Sequence, residues 1–173
     1  MILTPKQTKQ ESLDILSKHG LTLETNKLLM LAVRGYYANT FGVKGKDDRR
    51  VYDDALFIIA ENYYTALQWN TNPSPSYRYG LAELLTGVYD VKKHKHKGKY
   101  NAFQIIEAKV KRDGKNGIFV GNFGINLHYD GEYIPSGSLG CQTGRKSEFI
   151  KWQPQVYNLM DSLGLKTFKY LLV

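Results

Sequence analysis

A cysteine and a histidine within one short segment carry the clearest chemistry in this sequence. Cys141 is the single cysteine of the chain, and His128 precedes it inside the stretch 124–145. The thiolate is the nucleophilic form of cysteine, and a free thiol titrates near pKa ~8.5, so we expect a paired imidazole to depress the pKa of the thiol. Gly140 stands directly before Cys141. Glycine there permits a sharp backbone turn, after which neighbouring N–H groups can stabilise an oxyanion.

A free cysteine is also often a small buried hydrophobe with no chemical role. The neighbours of Cys141 argue against that interpretation, because Gly140 precedes it and the polar residues 142–144 follow it. Such a setting is not typical of an apolar core strand. The residue types and their order therefore favour a cysteine nucleophile.

The segments around these two residues predict how they are held. Apolar and polar residues alternate over 125–128, which is typical of a strand that ends at His128. Turn-forming residues are frequent over 130–137. We therefore expect the chain to leave the strand at His128 and to return through a loop to Cys141.

The order Ile-Asn-Leu-His at 125–128, followed by Ser-Leu-Gly-Cys at 138–141, resembles the active-site signature of L,D-transpeptidase catalytic domains. In that family a histidine at a strand end is followed by a loop and by Ser/Thr-His-Gly-Cys. The resemblance implies four catalytic positions, namely the acylated nucleophile Cys141, the general base His128, and Ser138 and Gly140 of the motif.

Three departures from the family pattern accompany this resemblance. Leu139 stands where the family has a second histidine, and the loop between histidine and cysteine is shorter than usual. The arginine that usually follows the cysteine by two positions is missing, and Arg145 lies further along the chain. Without the second histidine, we expect His128 to be oriented by a backbone carbonyl, by Asp130 or by Ser138.

The resemblance also implies a fold, an activity and partners. The fold would be α+β, a single β-rich domain of the L,D-transpeptidase-like fold with peripheral helices. The activity would be cysteine-dependent hydrolysis or L,D-transpeptidation of peptidoglycan stem peptides. The segments 52–55 and 70–74 resemble parts of small phage proteins that carry this cysteine motif, so we expect a phage-encoded, lytic or wall-modifying enzyme. We expect no metal and no cofactor, and substrate contacts from Tyr129, Asp130, Tyr133, Gln142 and Arg145.

Composition limits the class of protein. The 173 residues are 42% hydrophobic and 23% charged, which is ordinary for a folded domain with a real core. No apolar run reaches the ~20 residues of a membrane span, and the N-terminus lacks the pattern of a signal peptide. We therefore expect synthesis in the cytoplasm and action at the bacterial cell wall after release or on a virion. The net charge of +8 favours a polyanionic partner such as an anionic wall.

The pattern along the chain predicts strands flanked by two helices. Residues 5–18 predict a helix within an N-terminal helical segment, 1–24, and residues 25–173 are the predicted catalytic domain. Residues 28–33 are apolar without a period and favour a helix-to-strand transition. The lysine-rich stretch 92–99 predicts a solvated hairpin loop. The other predicted elements are strands at 55–60, 63–69, 87–91, 100–110, 118–120, 125–128 and 167–173, a hairpin between 110 and 118, and a helix at 147–163 that begins or kinks near Pro154.

A zinc-dependent hydrolase is a first alternative. His94 and His96 share a face of a strand, as do His128 and Asp130, so His94, His96 and His128 form a possible ligand set. The lysines around the first pair repel a cation, and the sequence contains no His-Glu-x-x-His motif.

A non-catalytic protein that binds cell wall or nucleic acid is a second alternative. The charge and the 13 tyrosines are compatible with it. The basic residues are scattered, however, and no nucleic-acid motif is visible. We therefore do not expect nucleic acid as the partner.

Overall fold

An eight-stranded sheet forms the body of the protein in the computed structural model, which describes residues 2–49, 51–73, 79–135 and 138–173. A three-stranded sheet and two helices complete the described part of the chain. In chain order the elements are α1 (Lys9–Lys18), β1 (Leu28–Val33), β2 (Asp54–Ala60), β3 (Tyr63–Trp69), β4 (Ala82–Leu84), β5 (Gly87–His96), β6 (Tyr100–Ile105), β7 (Ala108–Arg112), β8 (Phe119–Gly121), β9 (Asn126–Asp130), β10 (Gln142–Arg145), α2 (Lys146–Ser162) and β11 (Thr167–Leu172).

The large sheet is nearly closed into a barrel. Its strands lie in the order β10-β9-β6-β5-β11-β1-β2-β3, and the small sheet has the order β4-β7-β8. Asn70, which follows β3, exchanges backbone hydrogen bonds of 2.7 and 2.8 Å with Thr143 of β10. These two bonds join the edges of the sheet, so β10 is held on both sides, by β9 and by the end of β3.

Both faces of the central strands are buried. Met30 and its even-numbered neighbours in β1 belong to a core cluster that includes the apolar side of α2. Leu31 and Leu29 belong to a second cluster, on the other face, with Leu16 of α1. A strand that is buried on both faces shows no alternation in its sequence. The apolar run 28–33 is therefore a strand throughout, and the predicted helix-to-strand transition is wrong.

Most of the other predicted strands are confirmed, but the predicted strand 100–110 is wrong as a single element. It is two strands in different sheets, because the chain bends at 106–107 between β6 and β7. The predicted hairpin is present as the antiparallel pair β7 and β8, with Val110 opposite Phe119.

The lysine-rich stretch is mostly strand and not loop. β5 continues to His96, and the turn that follows comprises Lys97, Gly98 and Lys99. His96 is paired with Tyr100 across this hairpin. The prediction of a hairpin is thus confirmed, while its loop is shorter than predicted.

Helix α2 covers the inner side of the large sheet. It begins at Lys146 and contains Pro154 in its interior, so the proline does not mark its start. Its buried apolar side chains join the main core cluster and are Phe149, Trp152, Val156 and Met160.

Helix α1 covers part of the outer side. Thr8 caps its N-terminus in a capping box with Glu11, and Leu16 is buried against β1 and β2. The prediction of one β-rich α+β domain is confirmed, while the L,D-transpeptidase-like fold stays a prediction. Within the described ranges, no helix combines the length and the apolar character needed to cross a membrane.

A buried carboxylate ties the ends of two strands together. Asp54 accepts the backbone N–H of Gly35, beyond β1, and that of Thr71, beyond β3, at 2.6 Å each. The guanidinium of Arg34 donates to the hydroxyl and the carbonyl of Thr71. Gln142 donates to the same carbonyl at 3.0 Å. The segments 52–55 and 70–72 therefore lie together, and they contact Gln142, the residue that follows Cys141.

The seam between β3 and β10 generates a first prediction. A Cβ atom on Gly144 would overlap the indole ring of Trp69, which is fully buried. We expect Gly144→Ala to lower the free energy of unfolding by about 2 kcal/mol or more, because a packed core tolerates added volume poorly. Urea unfolding measures the change. In a Trp69→Leu background the same substitution should cost much less, and an equal cost in both backgrounds would contradict the clash.

Candidate active site

Cys141 lies beside the start of the strand that carries His128. β9 and β10 are parallel neighbours, with His128 level with Thr143. The residue before β10 therefore lies beside the first residue of β9, Asn126. The backbone N–H of Asn126 donates to Cys141 Sγ at 3.4 Å, and the thiol donates to the carbonyl of Gly124 at 3.8 Å. The chain thus returns to the histidine strand, as the sequence predicted.

The turn before the cysteine is fixed by a serine and a glycine. The hydroxyl of Ser138 donates to the carbonyl of Cys141 at 2.8 Å and accepts the N–H of Gly140 at 3.0 Å. Gly140 has φ 140°, and a Cβ atom there would lie 2.7 Å from the carbonyl oxygen of Ala82 in β4. The position therefore needs glycine for its backbone conformation and for its close contact with the small sheet.

His128 is oriented by a backbone carbonyl. Its Nδ1 lies 2.6 Å from the carbonyl oxygen of Tyr129 and 3.2 Å from the hydroxyl of Tyr100. A carbonyl only accepts hydrogen bonds, so Nδ1 carries the proton and Nε2 keeps a free lone pair. Of the three orienting groups expected from the sequence, the backbone carbonyl is the one that contacts Nδ1, and the charge of Asp130 also acts on His128. Ser138 instead contacts the backbone around Cys141.

A second imidazole stacks on the first. The rings of His96 and His128 are 3.9 Å apart and 18° from parallel. A ring nitrogen of each histidine and the sulfur of Cys141 all lie within 4.8 Å of one another. The side-chain amide nitrogen of Asn126 lies 2.9 Å from Nδ1 of His96. Because that amide nitrogen donates, Nδ1 of His96 accepts and its Nε2 carries the proton.

The observed cluster differs from the ligand set expected for a zinc hydrolase. His96 and His128 come together, but Cys141 takes the third place in the cluster and His94 is outside it. His94 lies two residues back along β5, where its backbone N–H and carbonyl both bond to the hydroxyl of Tyr157 in α2.

The cysteine and both histidines line an open cleft of about 450 Å³. Leu139, at the position of the missing histidine, is 66% exposed at its rim. A second hollow of about 470 Å³ shares Phe123 and Leu139 with the first, so the two form one groove. The first hollow is lined by His96, Lys97, Phe123, Gly124, Ile125, Asn126, His128, Asp130, Ser138, Leu139, Gly140 and Cys141.

Burial keeps both partners of the thiol–imidazole pair neutral. Desolvation, with additional repulsion from His96 and Lys97, lowers the pKa of His128 to about 4. Desolvation raises the pKa of the Cys141 thiol, against the opposing effect of hydrogen bonds from Asn126 and Ser138. The expectation of a depressed thiol pKa is therefore wrong. A partly dry cleft favours the neutral forms of both groups.

Among the expected substrate contacts, two side chains lie in the protein interior. Gln142 is fully buried and bonds to Tyr170 and to Thr71. Arg145 is 4% exposed and lies over the ring of Tyr52. Successive residues of a strand point to opposite faces, so Gln142 faces away from the side of Cys141. Neither Gln142 nor Arg145 is therefore placed to contact a substrate directly.

The other three expected contacts lie nearer to the surface. Asp130 lines the cleft. Tyr133 is 80% exposed in the segment after β9. The ring of Tyr129 stacks on Tyr100 at 4.3 Å, while its carbonyl holds His128. Tyr129 therefore acts on the site through its backbone.

Several residues at the site were missed or assigned another role from the sequence. The sequence pattern does not point to Lys97, Asn126 or Tyr100, and it indicates His96 only as a possible zinc ligand. Lysine and histidine alternate over residues 93–96, and this alternation was the sequence signal that β5 continues to His96. Lys97 itself adopts φ 51°, an unusual conformation for a residue with a side chain, and lines the cleft.

Comparisons of the chain with protein-family models, with curated proteins and with solved structures find no match. The geometry around Cys141 and His128 is therefore the basis for inferring a function. That geometry combines a nucleophile, an imidazole with a free lone pair and an open cleft.

The neutral pair generates a second prediction. Because burial raises the pKa of Cys141, its alkylation by iodoacetamide should be slower than that of a free cysteine at about pH 7, and should still be rising above about pH 8.5. Intact-mass measurement of the alkylation rate against pH tests this without ambiguity, since the chain has one cysteine. N-acetylcysteine is the control. A plateau of fast alkylation below neutral pH would contradict the neutral resting state.

Proposed function

We propose that the protein is a cysteine acyl-transfer enzyme that acts on peptidoglycan stem peptides. The observation that supports this most is the cluster in the cleft. The sulfur of Cys141 lies within 4.8 Å of ring nitrogens of His128 and His96. The Nδ1 proton of His128 is already committed to a carbonyl. A nucleophile, a base and a group that orients the base are the parts that covalent catalysis needs.

In the proposed reaction, the thiol and the imidazole both start neutral. Cys141 gives its proton to Nε2 of His128, and the sulfur attacks the carbonyl carbon of an amide. The tetrahedral intermediate collapses as the imidazolium returns this proton to the leaving amine, which departs and leaves a thioester on Cys141. Water or a second amine then attacks the thioester. Its proton passes through His128 to the sulfur, which restores the thiol.

His96 provides a hydrogen-bond donor beside the nucleophile in this proposal. Its Nδ1 accepts from Asn126, so its Nε2 presents a proton. The stacked rings are then complementary, since His128 offers an acceptor and His96 a donor. A fixed donor near a developing oxyanion stabilises the transition state more than water does, because it needs no reorientation.

The shape and charge of the groove agree with an extended peptide substrate. The hollow of about 450 Å³ that contains Cys141 meets a second hollow of about 470 Å³ at Phe123 and Leu139. Lys97 lines the first and Arg112 the second. A cation in each hollow suits a peptide that carries free carboxylates, as peptidoglycan stem peptides do. The resemblance at 125–128 and 138–141 to L,D-transpeptidases is the reason for choosing this substrate class, and for proposing their fold.

The acceptor decides whether the enzyme cleaves or joins stem peptides. With water the product is a shortened peptide, and with an amine it is a cross-link. Both outcomes share the acyl-enzyme on Cys141. We propose that the protein is phage-encoded and acts on the bacterial wall, as the resemblance of the segments 52–55 and 70–74 suggests.

The nucleophile generates a third prediction. Cys141→Ala should abolish turnover of purified wall fragments and leave the fold intact, because the thiol contributes little to the packing of the core. Intact-mass spectrometry of the parent with wall fragments should show an acyl adduct that is missing from the variant. Thermal unfolding serves as the control for folding. Full activity in the variant would contradict the proposed function.

The turn before the cysteine generates a fourth prediction. Ser138→Ala removes two hydrogen bonds that hold the backbone around Cys141. We expect kcat/KM to fall about tenfold, or ~1.4 kcal/mol of transition-state stabilisation, because misplaced nucleophiles react slowly. Ser162→Ala, on the exposed end of α2, is the matched control. Equal activity of both variants would show that Ser138 does not position Cys141.

A further inference from the structure

We propose that His96, His128 and Cys141 also form a binding site for Zn²⁺, which blocks the thiol while the ion is bound. The inhibition rests on the proposed acyl-transfer function, since it uses the same residues. The binding rests on the types, spacing and supporting contacts of the three ligands.

The three ligands match the preference of zinc. Two imidazole nitrogens and one thiolate sulfur form a set that zinc binds tetrahedrally, with the fourth position left for water. Ideal bonds of about 2.1 Å to nitrogen and 2.3 Å to sulfur put the ligand atoms roughly 3.4 to 3.6 Å apart. The three atoms here lie within 4.8 Å of one another. Side-chain rotations that tilt the two imidazoles out of their nearly parallel stack would bring the three atoms into range.

The supporting hydrogen bonds also match a metal site. Histidine ligands usually donate their second ring N–H to a carbonyl or a carboxylate, which fixes the ring. His128 already has this arrangement, because its Nδ1 bonds to the carbonyl of Tyr129. Its remaining nitrogen, Nε2, is free to bind an ion.

Asn126 supplies the corresponding contact for His96. Its side chain is more than nine-tenths buried, and its carbonyl oxygen Oδ1 has no partner among the described residues. Its amide nitrogen lies 2.9 Å from Nδ1 of His96. Rotation of this amide by half a turn pairs Oδ1 with a proton on Nδ1 and leaves Nε2 of His96 as a second free ligand. In this orientation the oxygen has a partner, and the amide nitrogen takes the place that the oxygen held.

The charges around the cleft do not exclude a cation. Lys97 lines it, but so does Asp130. Lys93 and Lys95 belong to the opposite face of β5 from His96, whereas Lys92 shares its face further back along the strand. Lys93 is paired there with Asp161 of α2. The repulsion that the lysine-rich sequence suggested is therefore directed largely away from the site.

Binding of Zn²⁺ removes the nucleophile and the base together. A bond forms between the metal and the sulfur of Cys141, and the thiol proton is released to solvent without any change of oxidation state. Nε2 of His128 becomes a ligand and no longer accepts a proton. The enzyme is then inactive until a chelator removes the ion.

The test measures metal binding and thiol protection on the same protein. Zinc affinity is obtained by competition with a chromophoric chelator, and Co²⁺ binding is followed by its thiolate charge-transfer absorption. We expect Zn²⁺ to slow alkylation of Cys141 and to inhibit turnover, and EDTA to restore both. His96→Ala and Cys141→Ala should each weaken zinc binding at least ~tenfold. His94→Ala, on the same strand outside the cluster, should bind zinc like the parent.

Each outcome decides the inference. Unchanged zinc affinity in Cys141→Ala, or no protection from alkylation in the unmodified protein, would overturn the site. Loss of zinc binding in His94→Ala would overturn the assigned ligands. If zinc does not bind while Cys141→Ala is inactive, the inference fails and the proposed function stands. If zinc increases turnover, the ion is not an inhibitor and the proposed cysteine mechanism fails as well.

Discussion

Two reciprocal backbone hydrogen bonds between Asn70 and Thr143 hold the rest of this structure in place. They join the two edge strands of the large sheet, β3 and β10, and so fix β10 between β9 and the end of β3. Cys141 precedes β10 directly, so its distance from His128 depends on that closure. Asp54 supports the same seam from behind, because its carboxylate holds Thr71, the neighbour of Asn70. The position of the sulfur atom thereby depends on three other parts of the chain, namely β9, residues 70–71 and Asp54.

Asn126 links the two imidazoles to the cysteine. Its backbone N–H donates to the sulfur and its side chain contacts His96. In one orientation of the Asn126 amide, Nε2 of His96 carries a proton and can donate it. In the other orientation the proton is on Nδ1, and Nε2 has a free lone pair. The same three residues therefore suit either covalent chemistry or metal binding, and a single amide rotation separates the two states. Burial of the two stacked rings lowers the pKa of both histidines and favours their neutral forms.

The sequence was informative where the signal was local. The strand before His128, the turn at Gly140 and the order of His128 and Cys141 all depend on neighbours in the chain, and each was foreseen. The role of His96 was not, because it depends on a hairpin that brings β5 beside β6 and on β9 beyond it. The carbonyl of Tyr129 could not be read from side-chain types at all. Gln142 and Arg145 were expected to contact substrate, whereas strand alternation and core packing direct them inward.

The turn that carries Lys97 has a consequence for attempts to engineer this protein. Lys97 adopts a left-handed conformation at φ 51°, followed by Gly98 at φ 70°. A residue with a side chain loses roughly 1 kcal/mol there relative to glycine. Selection for thermal robustness alone would therefore favour glycine at position 97, and would remove an ammonium group from the mouth of the cleft. Conformational stability and the positive charge at the cleft are in conflict at this one residue, so a screen that measures only heat tolerance would select against that charge.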